Sequence, residues 1–120
     1  GNKVINILKK NNIKLVCLAG FMKVLPSYFI KSYKGRIINI HPSLLPKYKG
    51  LDTFSRVLKS REIKTGCTVH FVNNKLDSGS TITQKIFYIK TMDSVEDLKK
   101  KTQKLEYRAF PEAIIKIFRD

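Results

Sequence analysis

Apolar residues in this chain recur in more than one period, and the changes of period mark out its elements. Val4, Ile7 and Leu8 fall on one face of a helix that stops near Asn11 and Asn12, asparagine being suited to a helix end. Leu15 to Ala19 is continuously apolar, the pattern of a strand covered on both faces, and Gly20 marks its end. Pro26 to Tyr33 predicts a short helix opened by proline and stopped at Gly35, and Arg36 to Ile40 predicts a second buried strand. Thr53 to Ser60 reads as another short helix. Thr68 to Val72 and Thr81 to Ile89 are β-rich, joined by a polar loop containing Asn73, Asn74, Asp77, Ser78 and Gly79. Ser94 with Asp97 three residues on forms a capping-box pattern, after which Val95, Leu98, Thr102, Leu105 and Ala109 trace one helical face. Pro111 is expected to kink that helix or to restart it before Ile114, Ile117 and Phe118.

Strands and helices in this order imply an α/β sheet with parallel members, built as one domain over residues 1–120 without repeats or an internal linker. The pattern opens inside a helix, whereas a doubly wound fold begins with a strand and a ligand-binding turn; the first part of a larger domain is therefore expected to be missing. A hydrophobic content of 42% argues against disorder. No run approaches the roughly 20 apolar residues that span a bilayer, and no export signal pattern is seen, so a cytoplasmic location and no membrane partner are expected. Cys17 and Cys67 lie in apolar runs without metal-ligand spacing, which predicts two buried, reduced thiols and no metal. The net charge of +15 raises nucleic acid as a partner. The lysines are scattered, however, and the dense cluster Lys99 to Lys101 falls in the amphipathic helix, so a solvated basic surface that suits anionic small substrates is the better reading.

The chemistry concentrates where the second strand ends. Asn39 and His41, two residues apart, point the same way from a strand, and Pro42 and Pro46 end that strand and stiffen the connection after it. Asp77, in Leu76-Asp77-Ser78-Gly79, sits on a loop able to aim a carboxylate back at the end of the sheet. An amide, an imidazole and a carboxylate suit non-covalent acyl-type transfer: amide and protonated imidazole for a developing oxyanion, carboxylate to orient the imidazole and move protons. Ser43 lacks a nucleophile elbow, which weakens any covalent route. His70, within Val-His-Phe-Val, reads as a packing or supporting residue outside the catalytic set.

The segments Ala19 to Leu25, Asn39 to Leu51, Gly66 to Val72 and Leu76 to Gly79 together resemble the phosphoribosylglycinamide formyltransferases, over the C-terminal two-thirds of that family's domain. The resemblance implies a formyltransferase, Rossmann-like sheet that moves a formyl group from 10-formyltetrahydrofolate to the amine of glycinamide ribonucleotide in purine biosynthesis. By position it makes Asn39, His41 and Asp77 the catalytic triad. It assigns Met22, Lys23, Val24 and Leu25 to one side of the folate pocket, with Asn73, Asn74, Lys75, Leu76 and Asp77 on the other and Asn39 between them. Gly20, Pro42, Gln103 and Glu106 match substrate-contacting positions. Without the resemblance Glu106 would read as a solvent-facing helix carboxylate, and Asn74 replaces a residue that is often acidic in the family.

Two related enzyme classes use the same triad. Methionyl-tRNA formyltransferases usually read Asn-Val-His-Ala-Ser and carry a basic C-terminal tRNA domain, and formyltetrahydrofolate deformylases usually have a second histidine where this chain has Pro42. Both differ from the pattern here. An inactive folate-binding fragment is the non-enzymatic alternative, and a nucleic-acid module is disfavoured because the Tyr and Phe residues follow core periodicity.

Overall fold

The computed structural model describes residues 6–7, 15–19 and 37–119. Expectations for the first strand-linked helix, the helix from 26 to 33, Gly20 and Met22 to Leu25 lie outside these residues, apart from Asn6 and Ile7, which are helical. The described elements are β1 (Val16–Ala19), β2 (Ile37–His41), α1 (Thr53–Lys59), β3 (Lys64–Phe71), β4 (Thr81–Tyr88) and α2 (Val95–Arg119). The four strands form one sheet in the order β1-β2-β3-β4.

Only β1 and β2 are parallel; β2, β3 and β4 pair antiparallel. The sheet is therefore mixed, because α1 lies within a connection that turns the chain back beside β2 rather than carrying it across to a parallel start. β3 also begins four residues before the predicted Thr68, since Lys64, Thr65, Gly66 and Cys67 pair with Tyr88, Phe87, Ile86 and Lys85 although their side chains do not look strand-like. The register slips between Val69 and His70, where Thr81 faces His70 and Thr83 faces Val69, a bulge that places Ile82 as the extra residue.

Strand alternation divides the sheet between two tasks. Ile38 and Ile40 from β2 and Cys67 and Val69 from β3 share one face and bury against Ala109 and Ala113 of α2, with Leu105, Phe110, Ile114 and Ile117 packed around them. The helix presents Leu98, Thr102, Ala109 and Ala113 as its buried line, the spacing of a single helical face. Small alanines at the contact let the helix approach the strands closely. Its N-terminus is closed by the predicted capping box: the Asp97 carboxylate accepts from the Ser94 N–H at 2.9 Å, and Ser94 Oγ accepts from the Asp97 N–H at 3.2 Å. Pro111 neither stops nor restarts the helix, which runs unbroken over 25 residues. Proline lacks the N–H that would bond one turn back and crowds the carbonyl there with its ring, but it sits on the exposed side, where the freed carbonyl can be solvated. Glu112 adds a polar tie to the edge strand, accepting from Thr83 Oγ1 at 3.0 Å and pairing with Lys85.

Cys67 is buried, and desolvation pushes its thiol up to about 12, which makes it an inert core group. Cys17 is exposed, contrary to the expectation of two buried thiols. Its register partner Ile38 lies in the core under α2, whose main strand contacts among the described residues are with β3 and β4. Among the described residues, no helix is long and apolar enough to cross a membrane.

The loop from 72 to 80 is shaped by close main-chain approach. Asp77 takes the left-handed conformation (φ 49°), so the tight turn lies at the carboxylate residue itself and not at Gly79. Gly79 is required for another reason: a Cβ there would lie 1.6 Å from the carbonyl oxygen of Phe71. Gly50, by contrast, has φ 83° and open space around it. Gly79→Ala is accordingly expected to lower stability by about 2–3 kcal/mol, and Gly50→Ala by about 1–2 kcal/mol, the left-handed penalty alone. Urea unfolding of both variants checks this, and the reverse ranking would contradict the packing described.

Candidate active site

Alternation along β2 places Asn39 and His41 on the sheet face opposite the core, and the antiparallel register sets His70 across from Asn39 and Thr68 across from His41. All four are buried. The loop from 72 to 80 brings Asp77 in beside them. His41 Nδ1 lies 3.4 Å from Asp77 Oδ2, and His70 Nε2 lies 3.7 Å from Asp77 Oδ1, with the three side chains no more than 3% exposed. One carboxylate is thus shared by two imidazoles. Asn39 and His41 share one sheet face, as their spacing predicts, Asp77 meets His41 there, and His70 lies beside the other oxygen of the same carboxylate.

The backbone after β2 fixes this arrangement. His41 Nε2 lies 2.7 Å from the Tyr48 carbonyl oxygen, and since a carbonyl can only accept, Nε2 carries a proton. In the neutral ring Nδ1 is then a bare lone pair facing a carboxylate oxygen, so a second proton arriving at the site is received between Nδ1 and Asp77. Asp77 Oδ2 is itself held by the N–H of Gly50 at 2.9 Å. His70 Nδ1 lies 2.9 Å from the Phe71 carbonyl oxygen, which assigns its proton to Nδ1 and turns Nε2 toward Asp77. His41 Nδ1, His70 Nε2 and Asp77 Oδ1 are three of the five buried side-chain nitrogen and oxygen atoms without a hydrogen-bond partner among the described residues. Such clustering of unsatisfied groups marks a site that works on something other than the fold itself.

Burial is the main influence on His41 and holds its imidazole below the ordinary value of 6.5, with the His70 and Arg56 charges acting the same way. The hydrogen bond to Tyr48 and the Asp77 carboxylate oppose this without overcoming it. Burial thus favours the neutral form of the resting imidazole at neutral pH. In its neutral form it is suited to accept a proton at Nδ1, with Asp77 stabilising the cation that results. For a ring nitrogen to face a reacting atom, one of its two partners has to be released, and the 3.4 Å Asp77 side is looser than the 2.7 Å bond to Tyr48.

The remaining sequence-based positions distribute less evenly. Pro42 is half-buried next to His41, Asn73 Oδ1 accepts from the Lys75 N–H at 2.9 Å, Asn74 and Lys75 are exposed, and Leu76 is half-buried. Gln103 and Glu106 lie on α2 and line a groove of about 430 Å³ with Tyr107, Phe110 and Pro111. That helix covers the face opposite Asn39 and His41, and the described contacts do not bring Glu106 to the triad. Glu106 is not solvent-facing either: partial burial raises its carboxyl, and its charge in turn raises the Cys67 thiol. Gly20 and Met22 to Leu25 lie outside the described residues. No three His, Cys, Asp or Glu side chains among the described residues converge as metal ligands.

Several supporting groups are not marked out by residue type. Thr68 Oγ1 donates to the Ser43 carbonyl at 2.7 Å and accepts from the Leu45 N–H at 3.0 Å and from Gln84 Nε2 at 2.9 Å, tying the segment after His41 to β3. Ser43 Oγ donates to the Lys47 carbonyl at 2.6 Å and is fully buried, which gives it a structural use in place of a nucleophilic one. Strand parity relative to His70 could have singled out Thr68; the main-chain groups of Tyr48 and Gly50 have no residue-type signature.

A mixed sheet that carries an amide, an imidazole and a carboxylate near the end of β2 is suited to acyl-type transfer, and comparison with known proteins narrows the class. Residues 1–114 match the formyl transferase family, and the chain belongs to it. It is 46% identical over 109 residues to the trifunctional purine biosynthetic protein adenosine-3 of Chironomus tentans, covering 91% of this chain and 8% of that protein. The crystal structure of phosphoribosylglycinamide formyltransferase from Bacillus halodurans superposes with a TM-score of 0.89 at 36% identity, covering 96% of this chain and 59% of that one. A formyltetrahydrofolate deformylase structure from Pseudomonas syringae pv. tomato is more distant, at 26% identity with a TM-score of 0.87 over 94% of this chain and 38% of that one. The chain thus spans less than two-thirds of the length of these relatives.

The His41 shift sets a pH dependence of stability. A histidine whose folded value is depressed resists a proton that the unfolded chain accepts, so stability is lost as pH falls below about 6.5. Thermal melts between about pH 7.5 and 5, above the main carboxylate range, should show this decline, and His41→Gln should flatten it. An equal slope in the variant would remove His41 as its source.

Proposed function

We propose that this chain carries the catalytic and folate-facing part of a phosphoribosylglycinamide formyltransferase, which transfers a formyl group from 10-formyltetrahydrofolate to the amine of glycinamide ribonucleotide. The observation that carries the reading is the buried Asn39, His41 and Asp77 set with its unfilled proton position between Nδ1 and the carboxylate. The family membership and the similarity to purine-biosynthetic relatives support the choice of folate and glycinamide substrates.

In this reading the amine nitrogen attacks the formyl carbon and a new C–N bond forms as the carbonyl becomes an oxyanion. The Asn39 amide donates to that oxygen. The proton lost by the amine is taken up at His41 Nδ1 against Asp77, whose other oxygen lies 3.7 Å from His70 Nε2. The bond from the formyl carbon to the folate N10 then breaks, and the proton returns to N10, leaving tetrahydrofolate and the formamide product. The loop of Asn73 to Asp77 serves the folate and Pro42, beside His41, the glycinamide substrate; for Met22 to Leu25 with the folate, and for Gly20 and the α2 residues Gln103 and Glu106 with the glycinamide substrate, the resemblance is the support.

The deformylase-like neighbour favours one competing reaction, in which water replaces the amine and formate is released. Product analysis separates the two, and formamide product is expected. Asn39→Ala and His41→Ala should each lower turnover by about 100-fold to 1000-fold, the usual loss for an oxyanion-site group. The assay follows release of tetrahydrofolate with the chain alone and with the first strand and phosphate-binding turn of a formyltransferase relative fused ahead of Gly1. Near-normal turnover in either variant, or transfer in neither form, would overturn the assignment.

A further inference from the structure

Three consecutive residues, Tyr48, Lys49 and Gly50, connect the two ends of the His41 and Asp77 pair through their main chain. The Tyr48 carbonyl takes the Nε2 proton of His41 at 2.7 Å, and the Gly50 N–H donates to Asp77 Oδ2 at 2.9 Å. Between them the Lys49 carbonyl accepts from Arg56 Nη2 at 2.5 Å, and the same guanidinium lies over the Tyr48 ring, 5.6 Å from its centre. Tyr48 and Gly50 both hold positive φ, 58° and 83°. A left-handed tyrosine costs about 1–2 kcal/mol and persists only where contacts hold it. Arg56 supplies two such contacts from α1, an element that otherwise takes no part in the site.

We propose that Arg56 is a positioning residue: its guanidinium clamps residues 48–50 in the shape that holds His41 and Asp77 opposite each other. As a catalytic role this rests on the formyl-transfer reading above; as a mechanical one it does not. Arg56 reaches neither partner by hydrogen bond, so it acts through the main chain it grips. A planar guanidinium suits this task because one face can stack on an aromatic ring while an edge donates to a carbonyl.

The groups facing His41 make the test directional. They are Asp77 from the 72–80 loop, His70 from β3, Arg56 from α1 and the Tyr48 carbonyl, and the Tyr48 bond favours the protonated ring more strongly than the Arg56 charge disfavours it. If Arg56 is a clamp, Arg56→Ala frees Tyr48, and the loss of its bond moves the titration of His41 to lower pH. If Arg56 acts by charge alone, the same variant moves it to higher pH. Histidine ring NMR across pH reads this without any assay of activity. In the formyl-transfer assay Arg56→Ala should lower kcat by about 100-fold, the loss expected for a misplaced catalytic group, with KM within about threefold, and Arg56→Lys should recover most of the turnover and restore the titration. A titration in Arg56→Ala that is unmoved or raised, or kcat within twofold of the parent, overturns the proposal; if the alanine variant does not fold, Arg56→Met is read by the same criteria. A lowered titration in a parent chain that transfers no formyl group would uphold the clamp and reject the function.

Discussion

The constraint on which this structure turns is a carboxylate shared by two imidazoles with almost no access to water. Removing such groups from solvent is costly unless each is oriented and partly satisfied. The surrounding chain is organised to do that: a carbonyl for His41 Nε2, an amide N–H for Asp77 Oδ2, a left-handed backbone at Asp77, and a glycine where the returning loop crosses the Phe71 main chain. What stays unsatisfied lies between the titratable groups, and that is where a proton can be stored.

The sheet separates stability from chemistry by parity. Even-numbered residues of β2 face the aliphatic core under α2, and odd-numbered residues face the site, so the same five-residue strand is buried on both sides for opposite reasons. The apolar side offsets the polar one. This also explains why α2 can carry Glu106 and Gln103 on its own groove while contributing nothing directly to the described triad. The bulge at Ile82, between the core-facing Val69 and the site-facing His70, lets β4 change its facing where the Asp77 loop enters.

Burial also decides the charge state of the site. The chain is strongly basic, and an anionic substrate would be drawn toward it. Inside the site desolvation, with the neighbouring His70 and Arg56, lowers the proton affinity of His41 against the opposing pull of the Tyr48 carbonyl and the Asp77 carboxylate. A neutral resting imidazole can accept a proton, and the cation it then becomes lies against the Asp77 carboxylate.

Sequence alone determined the short-range features, because they depend on neighbours a few residues apart. The two-residue spacing of Asn39 and His41, the buried strand β2, the capping box at Ser94 and Asp97, and the helix over Thr53 to Ser60 all arise from local periodicity and chemistry, whereas β1, expected to be covered on both faces, is half-buried with Cys17 exposed. Asp77 was legible from its polar loop, and the resemblance added the expectation that this loop serves the folate. Tertiary structure decided what depends on distant segments meeting: the antiparallel return of β3, the early start of that strand at Lys64, the exposure of Cys17, and the unbroken passage of α2 through Pro111. It also decided that Tyr48, Gly50, Arg56 and Thr68 support the site, because two of these act through main-chain groups that every residue possesses, and burial, which sets the proton on His41, is a property of the assembled fold.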